Sequence, residues 1–302
     1  MRPSLRVVAS TAIVLVGLPV GAVVLIAQVV PDFYASQHYG LDGPMLGLAG
    51  GLLAAVWGLD AARYRHVGRA LGVEVGWGDG LRMMMLFHLG AWLTPASLGA
   101  TSGVAWYLHR RGACLATAIA IASVGPVFTM VVTGLGAAVA IGLTSQPPPG
   151  LGPAAGLAAL VTGLIVATFF GALSRPAAAE ALRRARRNAT ELWVGQLGLA
   201  LAWYVACLLL MLSLVAAAGV PGPWLERLVD CALFRASAHV APTPGGAGVA
   251  EGGIAWFFGT SHAIMLIVLY RTAFFGLEAL GGLAVVGAEW GLGRSRALRG
   301  SP

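Results

Sequence analysis

Ala241-Pro-Thr-Pro-Gly-Gly-Ala-Gly-Val-Ala-Glu-Gly-Gly-Ile-Ala-Trp256 is the stretch from which the rest of the chain is read. It holds two prolines, five glycines and one carboxylate, and it lies between apolar segments. A weaker copy occurs earlier, Thr94-Pro-Ala-Ser-Leu-Gly-Ala-Thr-Ser-Gly-Val-Ala-Trp106. Thr94, Pro95, Gly99 and Gly103 fall on Thr243, Pro244, Gly248 and Gly252 at a constant offset of 149 residues, almost half of the 302. The pattern predicts two related halves, roughly 1–150 and 151–302 of one membrane domain. Each half is broken by one turn at membrane depth.

Composition sets the medium. The chain is 58% hydrophobic and 10% charged, with a mean hydropathy of +0.82; soluble domains carry about 25% charged residues. All 19 basic residues are arginine, the net charge is +7, and the arginines cluster between apolar runs. That placement points to a membrane surface with anionic lipids and gives no reason to expect nucleic acid. Cys114, Cys207 and Cys231 have no C-x-x-C spacing, so neither a metal nor a disulfide is indicated. The apolar run Val7–Val30 exceeds the length of a signal peptide's core and reads as a first span.

Runs of about 20 apolar residues are the unit of spanning. Val7–Val30, Met45–Leu59 extended to Ala62, Ala113–Leu143, Pro153–Leu173, Val194–Gly219 and His262–Leu292 give six spans. Met83–Leu93 is too short to cross, and basic residues flank it and its returning arm, so it reads as a re-entrant hairpin. Leu225–Val240 leads into the second hairpin. Arginine-rich segments 63–82, 110–111, 175–187 and 294–299 belong in the cytoplasm by the positive-inside rule; the arginine-free loops 31–44 and 144–152 belong outside. Both termini are then cytoplasmic. Three spans per half place the halves in opposite orientation, a recurrent transporter plan. The expected fold is therefore an all-α polytopic membrane protein with about six spanning helices and two re-entrant helical hairpins in two inverted-topology repeats.

Bare turns in a bilayer need protein or a wet cavity around them, so a polar cavity is expected between these two. Thr-Pro is a helix-start signal. If Pro95 and Pro244 open the returning arms, free N–H groups and positive dipole ends face the cavity and favour a phosphate. Gly245, Gly246 and Gly248 would admit a ligand close to the backbone; the plainer reading is tight helix packing. Glu251 is an intramembrane carboxylate, functional by default, with helix capping as its plainer role. Arg271 lies deep in the last span and is expected to pair with Glu251 or, the favoured reading, to hold a phosphate. Arg235 and His239 precede the second turn; Arg82 and His88 are their loose counterparts in the first hairpin. No His-Glu-x-x-His, Gly-x-Ser-x-Gly, P-loop or dinucleotide fingerprint occurs. No enzymatic role and no cofactor is expected.

Pro242-Thr-Pro-Gly-Gly-Ala-Gly-Val-Ala-Glu251, followed by Tyr270-Arg271, resembles the integral membrane domain of lysylphosphatidylglycerol synthase/flippase proteins and its stand-alone relatives. Leu93-Thr-Pro-Ala-Ser-Leu-Gly99 resembles the first-half motif of that family, Pro-x-x-x-Gly-Glu-x-x-Arg, but Ala100 and Gly103 stand where glutamate and arginine are expected. The resemblance implies a flippase-like protein of the bacterial inner membrane. It also implies a membrane lipid as partner: an anionic or zwitterionic phospholipid or a polyprenyl phosphate. The aminoacyl-transferase domain of fused members has no counterpart in the sequence, so synthesis of lysyl-lipid is not expected. A secondary transporter for a small solute and a non-transporting accessory protein are the alternatives, and a homo-oligomer is left open.

Overall fold

The computed structural model describes residues 41–94, 97, 99–144, 167, 171, 176, 179–239, 241 and 243–299. The spans expected at Val7–Val30 and Pro153–Leu173 lie outside these residues apart from positions 167 and 171, and so does Pro95. Every regular element among the described residues is helical. Four helices, Gly43–Leu71, Leu115–Leu143, Ala189–Ala217 and the interrupted Thr260–Glu289, are long and apolar enough to cross a membrane. The chain is an all-α membrane protein.

The first described helix, α1 (Gly43–Leu71), starts at Asp42, whose Oδ1 accepts the Met45 N–H at 3.0 Å, and ends at Gly72, where φ is 78°. Hydropathy ends this span near Ala62, yet the helix runs about two and a half turns further. Its stop signal is the left-handed glycine, not the first arginine, and this carries Arg63 into the interior, where it is only 4% exposed. Helices α2 (Trp77–Leu93) and α3 (Ala100–Arg110) form the first hairpin. A Cβ on Gly90 would lie 2.5 Å from the Gly99 carbonyl oxygen, and one on Gly103 2.9 Å from that of Leu86. The two arms thus touch backbone to backbone. Helix α4 (Leu115–Leu143) continues through Pro126 without a break.

The short α5 (Ala179–Arg187) is a basic surface helix whose Glu180 carboxylate pairs with Arg183 and Arg184 at 2.6 and 2.9 Å. Arg184 Nη1 also reaches the Gly72 carbonyl at 3.4 Å, which seats α5 at the C-terminal end of α1. Helix α6 (Ala189–Ala217) lies along α1. Helix α7 (Trp224–His239), a tight turn at Pro244–Gly246 and α8 (Val249–Phe258) form the second hairpin. The chain then runs through α9 (Ala263–Arg271), a π-helical turn at Thr272–Gly276 and α10 (Leu277–Arg299).

The first hairpin packs on α10 and α1, and the second packs on α4. Leu135, Val139 and Leu143 on α4, with Val194, Leu197 and Leu201 on α6, are exposed at helical spacing. Such stripes suit lipid contact and are unsuited to water. Asp60, Arg63, Gln196, Arg235, Glu251, Arg271 and Glu278 are all buried. A few polar groups are thus buried within an apolar core, and the outer faces of α4 and α6 are apolar as well.

Candidate functional site

The second turn is held by one buried ion pair. Arg271 Nε donates to Glu251 Oε1 at 2.6 Å, and Nη2 lies 2.5 Å from the same oxygen without hydrogen-bond alignment. Arg271 Nη1 donates to the Gly245 carbonyl at 2.6 Å, while Glu251 Oε2 accepts the Gly248 N–H at 2.7 Å. Glu251 is fully buried. A guanidinium at this depth needs a counter-charge, and Glu251 supplies it, so the phosphate favoured for Arg271 has no open face there. Glu251 thus both caps the turn and serves as counter-ion to Arg271.

The helix start expected at Pro244 is displaced. Pro244 opens the short turn Pro244–Gly246, and α8 begins only at Val249. Thr243 does not cap that helix; its hydroxyl donates to the Ala247 carbonyl at 2.6 Å. The cause is the backbone at Gly245, Gly246 and Gly248, whose φ values of 59°, 67° and 83° are incompatible with helix. Thr94 plays a related part in the first turn, donating to the Gly90 carbonyl at 2.8 Å and accepting the Gly99 N–H at 2.7 Å. Gly99, at φ −82°, precedes α3 and serves close packing: its Cβ would lie 2.6 Å from Thr94 Cγ2.

The turns meet over a cavity of about 200 Å³. Ser97 of the first turn and Gly245 and Gly246 of the second are on its wall, with Arg235 and His239 from α7. Trp92, at the tip of the first hairpin, stands 3.4 Å from the position of a Cβ on Gly245, an ordinary contact, so the two turns touch here and the glycine is required by its φ of 59° alone. Of the residues singled out in the sequence, His88, Arg235, His239, Gly245 and Gly246 line the cavity. Thr94, Gly99, Thr243, Pro244, Gly248, Glu251 and Arg271 build the turns behind it.

Several wall residues escape the sequence reading. Arg63 Nη1 donates to Asp60 Oδ1 at 3.0 Å, and Nη2 donates to the Gly125 carbonyl at 2.5 Å and Thr129 Oγ1 at 2.7 Å. Asp60 Oδ2 accepts the indole N–H of Trp203 at 2.9 Å. Glu278 Oε1 accepts the Trp57 indole N–H at 2.9 Å, and its Oε2 lies 3.0 Å from His88 Nδ1. Gln196 is completely buried on the wall, with neither amide atom hydrogen-bonded among the described residues. An Asp-x-x-Arg pair inside an apolar helix, and a carboxylate or amide mid-span, are signals the sequence does carry. They are hidden by taking Arg63 as a cytoplasmic flank.

Arg235 differs from the other buried arginines. It is 4% exposed, its guanidinium lies 4.7 Å from the Phe274 ring and 5.4 Å from the Trp203 ring, and no carboxylate pairs with it among the described residues. Aromatic faces offset part of the cost of burying a cation, but they do not neutralise it. Among the described residues the cavity thus offers a guanidinium without a carboxylate partner, an unpaired amide and turn backbone without side chains. Comparison with known protein families and with curated proteins finds no match. The resemblance to the flippase domain accordingly rests on the sequence motifs at 242–251 and 270–271 and on the weaker one at 93–99.

Proposed function

We propose that the protein is a flippase-like lipid transporter that binds the phosphate of a lipid headgroup at Arg235, in the cavity between two re-entrant hairpins. The observation that carries this reading is a buried arginine with no counter-ion among the described residues, on a wall shared by both turns. A buried, unpaired charge is strongly unfavourable and is offset when an anion enters. Gln196, on the wall of the same cavity, adds an unpaired amide. The 242–251 motif favours a lipid, phospholipid or polyprenyl phosphate, over a soluble anion.

The membrane arrangement belongs to the same proposal: six spans, inverted halves, both termini cytoplasmic, in a bacterial inner membrane. The seating of α5 against Gly72 supports it, because the basic residues of α5 then gather with Arg69 at the C-terminal end of α1.

The test is transport by the full chain in vesicles containing a fluorescent phosphatidylglycerol. Arg235→Gln is expected to slow translocation by at least about tenfold, the loss of one charge-assisted hydrogen-bonded contact; Arg235→Lys should retain part of the rate. Translocation by Arg235→Gln at the parent rate would overturn the reading. Uptake of soluble glycerophosphoglycerol without lipid movement would turn it into small-solute transport.

A further inference from the structure

On the proposal that an anion binds at Arg235, the remaining charges of the cavity have a consequence. Asp60 and Arg63 cancel each other on α1. Glu251 and Arg271 cancel behind the second turn. That leaves Arg235 on α7 and Glu278 on α10, both on the cavity wall and not joined by an ion pair. Glu278 is 2% exposed, and its near neighbours are an indole N–H and the imidazole of His88, on α2 of the first hairpin. While His88 is neutral, the carboxylate and the distant guanidinium balance the cavity between them. An anion on Arg235 consumes that balance and leaves Glu278 as excess buried negative charge, which a low-dielectric interior penalises.

We propose that His88 and Glu278 form a proton-binding site coupled to the anion site, so that each anion bound at Arg235 brings about one proton onto the pair. The proton comes from water and is held as an N–H or O–H shared by imidazole and carboxylate; no other bond forms or breaks. Such a pair titrates as a unit. By linkage, protonating the pair tightens anion binding as much as the anion favours the proton. The pair also joins the first hairpin to the last span, so its protonation acts where those two elements meet.

The other groups around His88 leave this site as the proton acceptor. From α1, Asp60 is already engaged by Arg63 and Trp203. From α7, Arg235 is the anion site itself, and His239 lies edge-on to the Trp203 ring at 6.2 Å, with no carboxylate partner among the described residues. From α10, Glu289 is near Arg111 at the far end of α3, and Asp79 and Arg82 are at the foot of α2.

The experiment is calorimetric titration of the full chain in detergent with dihexanoylphosphatidylglycerol, in buffers of different ionisation enthalpy, from about pH 5.5 to about pH 9, where histidines and buried carboxylates titrate. A phosphodiester does not titrate in this range, so any proton taken up goes to the protein. The parent protein should take up about one proton per lipid on the alkaline side, with affinity falling roughly tenfold per pH unit there. Glu278→Gln, which preserves the Trp57 contact, should bind with no uptake and no pH dependence; His88→Gln should shift the pH at which uptake occurs. Binding that depends on Arg235 but brings no proton at any pH would overturn the coupling and leave the anion site standing. Uptake that persists in Glu278→Gln and vanishes in His239→Gln would overturn the assignment. Absence of any Arg235-dependent binding would overturn both proposals. Equal binding and uptake with glycerophosphoglycerol would support the coupling with a soluble phosphodiester as its source.

Discussion

The two turns share a Thr-Pro start and a glycine spacing, yet they are held in opposite ways. The first is closed by the Thr94 hydroxyl, and its hairpin is tied at the foot, where Asp79 accepts the Tyr107 hydroxyl at 2.6 Å and lies 3.5 Å from Arg111. At its tip, Ser97 adopts φ 57°, a strained value for a residue with a side chain. The second is clamped at the tip by Glu251 and Arg271, with three left-handed glycines wrapped around the clamp. The difference teaches that a shared Thr-Pro and glycine spacing does not fix what stabilises a turn. A carboxylate clamp appears only where an arginine stands in the neighbouring span.

The largest expected effect breaks that clamp. Glu251→Ala should cost about 3–5 kcal/mol by stranding a buried guanidinium, and Arg271→Ala a similar amount. The double variant should recover much of the loss, a non-additivity read from a double-mutant cycle of thermal stability. Simple additivity would mean that the two groups do not form a unit. Thr94→Ala, by comparison, removes two neutral hydrogen bonds worth about 0.5–1.5 kcal/mol each.

This part of the site was legible in the sequence as one of two alternatives and not the favoured one: an acid just after a turn and an arginine deep in the next span can satisfy each other, but only packing shows that they do. Where α8 begins was not legible. Thr243-Pro244 carries the local signal for a helix start, but the following glycines adopt positive φ and delay it to Val249. The length of α1 was hidden for a related reason. Hydropathy stops at the first arginine, whereas a helix stops where its backbone does, at Gly72. Arg63 and Asp60 were thereby lost to the cavity. Glu278 and Gln196 lie in spans whose average hydropathy masks single polar residues, and only packing shows which way they face.

A mid-sized effect separates the two kinds of glycine. Gly248→Ala meets no neighbouring atom within 4 Å, so its expected cost of about 1–3 kcal/mol comes from the backbone at φ 83° alone. Gly99→Ala carries no such backbone penalty and instead collides with the Thr94 methyl. Introducing Thr94→Ser should therefore relieve Gly99→Ala, while no side-chain change should relieve Gly248→Ala. Thermal denaturation of the three variants checks this; an unchanged cost for Gly99→Ala in the serine background would contradict it.

The smallest effect lies at the foot of the first hairpin. Burial pushes the Asp79 carboxyl up, but hydrogen bonds from Tyr107 and Gly76 and the charges of Arg111 and Arg82 outweigh it and hold the group below the usual carboxylate range. A depressed folded value means that the stabilisation is present above the unfolded value near 3.9 and is lost as pH falls through the folded one. Asp79→Asn should accordingly cost less than about 1 kcal/mol at neutral pH, and the gap to the parent should close on acidification below about pH 4. A gap that stays constant with pH would remove Asp79 from the foot cluster.

The central claim is that the cavity between the turns receives an anion on Arg235. Its most direct test is the density in that cavity when the parent protein and Arg235→Gln are solved side by side in native lipid. The account predicts phosphate-like density within hydrogen-bond reach of the Arg235 guanidinium in the parent, continuing into a lipid tail, and none in the variant. An empty cavity in both, or the same density in the variant, would contradict it.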